Sequence, residues 1–227
     1  MALTSWAIVI ATGKSQELTA GAETAFLGVG SRPVLAHVME AFERCREIEG
    51  IVVAASRDRL DMVRALGQRY GCAKLRSVVL GSAQRRATLE AALKVLDETV
   101  GMVTIHDVCR PCITTAMITE TVLAARRCGA AIVAAPIHEP VKVSARGTTV
   151  ERTFREGSLW VAQSPQTFRL ELLQQALAAA HKKRLTLEEE SAAFELISSE
   201  VRLVDPKRLN LRIRTAEDLA LAAQLLQ

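Results

Sequence analysis

Short, uninterrupted apolar runs alternate with stretches of helical period along this chain, the pattern left by a mostly parallel sheet whose strands are covered on both faces. Residues 6–11 read as a first buried strand, 50–55 as a second continuous apolar run, 74–80 and 130–136 as further strands, the last stopped by Pro136, and 201–204 as another. Between them Val34, Leu35, Val38, Met39 and Phe42 carry a helical repeat, with Ser31 near its cap and Pro33 in its first turn. A second repeat runs through Leu60, Val63 and Leu66, and a third through Leu89, Ala92, Leu93 and Leu96. Helices are also predicted over 117–128 and 169–183, and a last one opens at Thr215 with Glu217 and Asp218 in its first turn. Residues 25–30 and 210–213 read as short extended pieces.

Residues 141–154 change character. Their alternation, with a turn at 145–147, predicts a hairpin whose apolar face is too small to bury itself, so it should lie on the body or on a second subunit. No linker or repeat divides the chain, and 1–227 is expected to be one α/β domain with an arm at about 138–160.

At 227 residues, 49% hydrophobic but only 4% aromatic, the core must be built from Ala, Leu, Val and Ile, which suits a sheet between helices better than an all-β fold. A net charge of +4, spread over 29 basic and 25 acidic residues, is too mild and mixed to point to nucleic acid but accommodates a small anionic ligand. No apolar run approaches the roughly 20 residues of a membrane span. Five cysteines without a recognisable leader are expected to be reduced thiols in a cytoplasm. Cys109 and Cys112 match C-x-x-C, but neither a thioredoxin-like context nor a second ligand pair accompanies them.

The chemistry concentrates at 102–112. An apolar strand ends in His106-Asp107, and Pro111 denies the ladder a donor, so Asp107 and Arg110 are lifted to a strand's carboxyl end, where open α/β sheets bind ligands. A carboxylate and a guanidinium three residues apart suit a metal and a phosphate, or else pair with each other to cap a loop. Thr12-Gly13-Lys14 follows the first strand as a small-residue loop able to offer backbone N–H groups to phosphate. Gly81 ends another strand, and Arg85 and Thr88 occupy the first turn of the helix after it, near the positive end of its dipole; the alternative for Arg85 is a solvated surface charge. Glu188-Glu189-Glu190 forms an acidic patch.

Taken together, residues 81–88, the block Val103-Thr104-Ile105-His106-Asp107-Val108-Cys109-Arg110-Pro111, Ala134-Ala135-Pro136, Leu159-Trp160 with Ser164-Pro165-Gln166, and Asn210-Leu211-Arg212 ahead of Glu217-Asp218 resemble the 2-C-methyl-D-erythritol 4-phosphate cytidylyltransferase family over nearly the full length. The resemblance implies a Rossmann-like nucleotidyltransferase fold, a homodimer joined by an exchanged hairpin arm, and Mg²⁺-dependent transfer of CMP from CTP to a sugar-alcohol phosphate in isoprenoid precursor synthesis. It casts Asp107 as the magnesium ligand, Arg110 and Arg212 at the acceptor's phosphate, and Thr12, Gly13, Gly81, Arg85 and Thr88 around the nucleotide. Asp107, Lys14 and Arg212 are the expected catalytic residues.

The sequence departs from the family pattern in the loop after the first strand. Glu17 and Thr24 stand where the resemblance expects an arginine and a lysine, Lys14 is an added cation, and Arg212 replaces a lysine. Around the acceptor, Pro140 replaces a hydroxyl residue, Glu188 a threonine, and Glu156 the arm's arginine. Three readings remain open: an active cytidylyltransferase with a rearranged loop, a dimeric ligand-binding homologue without turnover, and an enzyme for another polyol phosphate such as ribitol phosphate.

Overall fold

Thr4–Ile10 forms β1, and its side chains divide between two separate cores, Ala7 and Val9 facing one and Ile8 and Ile10 the other. That division is why the strand reads as a continuous apolar run instead of an alternation. The computed structural model describes residues 3–12, 23–145, 147–187 and 189–226. After β1, a 3-10 turn at Thr24–Phe26 leads to a two-stranded ribbon, β2 (Gly28–Val29) with β3 (Arg32–Pro33), and then to α1 (Val34–Arg44). Ser31 is therefore not the cap of α1: Pro33 holds that position with an extended backbone and no side-chain bond, because 32–33 is already committed to the ribbon.

The chain continues through β4 (Gly50–Ala55), α2 (Leu60–Arg69), β5 (Leu75–Leu80), α3 (Arg85–Leu93), β6 (Val100–Asp107), α4 (Thr115–Cys128) and β7 (Ala130–Pro136). The hairpin follows as β8 (Val141–Val143) and β9 (Arg152–Phe154), paired with each other in a sheet of their own. Next come β10 (Trp160–Arg169), α5 (Leu170–Lys182), a 3-10 helix at Glu190–Ile197, β11 (Arg202–Val204) and α6 (Ala216–Leu225). The seven-stranded sheet has the order β11-β7-β10-β6-β1-β4-β5 and is parallel apart from β10, which runs antiparallel to both β6 and β7.

Helices α1, α2, α4 and α6 supply the core on one face, through residues such as Phe42, Val63, Ile118 and Ala222. On the other face α3, α5 and the 3-10 helix contribute Leu89, Leu173 and Phe194, the last stacked on Phe168 of β10 with ring centroids 4.8 Å apart. The fold class expected from the sequence is thus the one observed. One local reading is corrected: β10 carries a strand where none was predicted, while residues 210–213, read as a short extended piece, join no sheet. Among the described residues no helix is long and apolar enough to cross a membrane.

Candidate active site at the carboxyl ends of the central strands

β6 stops at Asp107, and the turn after it is closed by Arg110 N–H donating to the Asp107 carbonyl at 3.0 Å. Asp107 is set from below by its own N–H, which donates to Ser164 Oγ of β10 at 3.1 Å. Its carboxylate receives Nη1 of Arg85, from the first turn of α3, at 2.6 Å. The same guanidinium turns its other edge to Glu190, with Nε to Oε1 and Nη2 to Oε2 both at 2.8 Å. Such a two-point fork is the strong form of an Arg–carboxylate pair.

The electrostatics follow from burial and these partners. Burial alone would raise the Asp107 carboxyl, but the charge and hydrogen bond of Arg85, and then the charge of Arg212, hold it below the usual carboxylate range. Burial pushes the Glu190 carboxyl upward against the bonds from Arg85. The Arg85 guanidinium, which burial would lower, is raised by Glu190 first and Asp107 second. Arg85 is therefore no solvated surface charge, and Glu190 is no member of an exposed acidic patch: its side chain is 4% exposed. Glu189 is also committed, accepting from the N–H groups of Ser191 and Ala192 as the cap of the 3-10 helix and from Gln166 Nε2 at 2.6 Å. Glu188 lies outside the described residues.

Arg110 is 6% exposed and its Nη1 donates to the Asn210 carbonyl at 2.7 Å, so it works as an internal anchor as well as a charge behind Asp107. Asn210 in turn donates from Nδ2 to the Ser164 carbonyl at 2.8 Å and to Gln163 Oε1 at 2.9 Å, and Ile213 N–H reaches the Cys109 carbonyl at 2.7 Å. Arg212 is exposed between those two fastened points. This lacing explains why 210–213 is extended without joining a sheet, and it is what brings a cation from near the carboxyl terminus to the end of β6.

His106 is fully buried, edge-on to Phe42. Burial drives its imidazole down to about 4, and Nε2 sits 3.1 Å from the Arg110 carbonyl, which requires the neutral tautomer with hydrogen on Nε2. It shapes the turn after β6.

A second cluster lies on the other side of Asp107, built from three predicted nucleotide contacts. A Cβ placed on Gly81 would come within 2.1 Å of Thr12 Cγ2 and 3.3 Å of Thr88 Cγ2, so glycine is needed for the two threonines to close on the strand ends. The Thr88 hydroxyl accepts from Ser82 N–H at 2.9 Å and shapes the 81–84 turn. Thr12 ends the described part of its loop; Gly13, Lys14 and Glu17 lie outside the described residues. On the far side of that loop Thr24 is 3% exposed, and Glu23 is buried against Nε of Arg59 at 3.0 Å. Pro140 and Glu156 are exposed on the arm, Glu156 3.8 Å from His138 Nδ1.

The donor set fits a hard divalent cation of the magnesium kind. Such an ion is commonly held by one or two carboxylates plus substrate phosphates and water, and Asp107 presents one carboxylate beside cations suited to phosphate. Among the described residues no cluster of three or more acidic, His or Cys side chains exists that would hold a metal by itself. Cys109 and Cys112 are free thiols, both pushed upward by burial.

Residues 5–227 match the profile of the 2-C-methyl-D-erythritol 4-phosphate cytidylyltransferase family. The chain is similar to the enzyme of that name from Geobacter metallireducens, 32% identical over 221 residues, covering 96% of this chain and 95% of the relative. It is 30% identical over 219 residues to that from Halalkalibacterium halodurans, covering 96% and 95%. Among solved structures, 4-diphosphocytidyl-2C-methyl-D-erythritol synthase from Anaerococcus prevotii superposes with a TM-score of 0.87 at 26% identity, covering 99% of this chain and 96% of that one.

Proposed function

Since this chain belongs to the 2-C-methyl-D-erythritol 4-phosphate cytidylyltransferase family, we propose that it transfers CMP from CTP to 2-C-methyl-D-erythritol 4-phosphate, with release of pyrophosphate. The observation that carries the reading to this molecule is the placement of Asp107 at the end of β6 between Arg85 and Arg212, which gives one carboxylate and flanking cations where open α/β sheets bind ligands.

In this reading Asp107 holds Mg²⁺, which when bound would offset charge on the triphosphate. The backbone of the loop at Thr12 and Gly13, the turn at Gly81 and the helix bearing Arg85 and Thr88 seat the nucleotide. Arg212 meets the acceptor's phosphate, its guanidinium suited to a two-point grip on phosphate oxygens. Arg110 contributes charge from behind and fixes Arg212 through Asn210. Lys14 supplies a cation from the loop. Two protomers joined through the hairpin arm, in the cytoplasm, complete the picture.

Pyrophosphate release with CTP and Mg²⁺ tests the reading directly. It should depend on methylerythritol phosphate and exceed both a no-acceptor control and a ribitol phosphate control. Preference for ribitol phosphate would assign the site to another polyol phosphate. A second reading, a dimeric ligand-binding homologue without turnover, is favoured by one specific feature: Glu17 and the buried Thr24 stand where the family resemblance expects cations. CTP binding without pyrophosphate release would select it.

A further inference from the structure

Glu190 is 105 residues from Arg85 in sequence, yet it is the carboxylate that Arg85 engages most fully. Nothing in the proposed chemistry uses it. Its side chain is 4% exposed, and it begins a 3-10 helix fastened at its start and its middle: Glu189 caps the helix and is held by Gln166 of β10, and Phe194 stacks on Phe168. The carboxylate thus has little freedom to follow a moving partner.

The geometry has a consequence for Asp107. Arg85 gives Nε and Nη2 to Glu190 and is left with one hydrogen bond, from Nη1 to Asp107 Oδ1. Oδ2 of Asp107 receives no hydrogen bond from the described residues. The three side chains together carry one net negative charge when both carboxylates are ionised. Without the Glu190 carboxylate holding it, the Arg85 guanidinium would be free to turn its fork onto both oxygens of Asp107, cancelling its charge and occupying the atoms a cation needs.

We propose that Glu190 is a positioning residue for the metal site: by fixing the Arg85 guanidinium in a two-point pair and offsetting its charge, it leaves Asp107 an open oxygen and an uncancelled charge for a divalent cation. The inference rests on the reading of Asp107 as the metal-binding carboxylate and adds a residue that acts on it through another. Partners of metal-binding side chains typically alter metal affinity 10–100-fold when removed.

The test is the gain in CTP affinity on adding Mg²⁺, measured by calorimetry as the ratio of Kd in EDTA to Kd in saturating Mg²⁺. For Glu190→Gln the gain should shrink by about tenfold or more while the Kd in EDTA stays within about twofold of the parent. A merely structural role would weaken binding in both conditions. The double variant Arg85→Gln with Glu190→Gln, which removes the competing cation as well, should recover the gain, and it carries the test if the single variant does not fold. A folded Glu190→Gln protein with the parent's gain overturns the proposal, as does a double variant that has lost it. Asp107→Asn separates the two levels: a variant that keeps the gain refutes Asp107 as the metal carboxylate, whereas one that loses it while Glu190→Gln does not refutes only the role of Glu190.

Discussion

Arg110 donates to the carbonyl of Asn210 across a separation of 100 residues, at 2.7 Å and almost entirely out of solvent. That bond joins the end of β6 to the segment bearing Arg212, and Asn210 passes the connection on to Ser164 of β10. Three segments distant in sequence thereby meet at one strand end.

Asn210→Ala removes both side-chain donations to β10 while keeping the carbonyl that Arg110 uses. Loss of buried hydrogen bonds of this kind costs about 1–3 kcal/mol, and for a chain of this size about 2–4 °C of melting temperature per kcal/mol. The variant should melt lower by that amount and show a raised KM for the acceptor with a smaller change in KM for CTP, because Arg212 is set adrift. Equal losses for both substrates would mean the lacing supports the whole site and not Arg212 in particular.

Most strands that left a continuous apolar run are buried on both faces, whereas β5 was legible from its valines and leucines although it is only partly buried. Residues 50–55 were legible because all six of β4 are buried, and the end of β6 because an apolar run meets Asp107 and Pro111. The capping box at Thr215 and Asp218 was legible because its residues are local. β10 was hidden: Gln163-Ser164-Pro165-Gln166 breaks the alternation, and its register shifts between Ala162 and Gln166. The Arg85–Glu190 pair left no local signal at all, since Glu190 sits in a run of three acids that reads as solvated surface. Its burial comes from tertiary packing against β10 and α5.

The loop after β1 should respond to restored charge. Glu17→Arg together with Thr24→Lys would place two cations where the family resemblance expects them, and each well-aimed donor is worth about 3–4 kcal/mol of transition-state stabilisation. Because Thr24 is buried, its lysine must extend outward past the 3-10 turn to be useful. The expected outcome is a rise in kcat of about a hundredfold or more. A parent already fast and crippled by Lys14→Ala would show instead that Lys14 has taken over the task.

The arm leaves apolar surface uncovered. Val143 is 36% exposed, Val150 53%, Trp160 40% and Val161 47%, on and beside a two-stranded ribbon that is marginal alone. Sedimentation should give a dimer, twice the 24.7 kDa chain. Removal of residues 141–154 should give monomer or aggregate; a well-folded dimer without the arm would place the interface elsewhere.

Cys72 should prove unreactive. Burial first, and then the nearby Glu43 carboxylate, push the Cys72 thiol up to about 12, so almost none of it is ionised at pH 8. Iodoacetamide at that pH should label Cys72 slowly in the native protein and faster in Glu43→Gln. Rapid labelling of the native protein would contradict this assignment.

The most direct measurement follows phosphorus itself. In a ³¹P NMR time course of CTP, methylerythritol phosphate and Mg²⁺, the parent should convert the acceptor's monophosphate resonance into a diphosphate diester with matching pyrophosphate, and Asp107→Asn should leave the mixture unchanged. Conversion by Asp107→Asn at the parent's rate, or none by the parent despite bound CTP, would contradict a cytidylyltransferase centred on the end of β6.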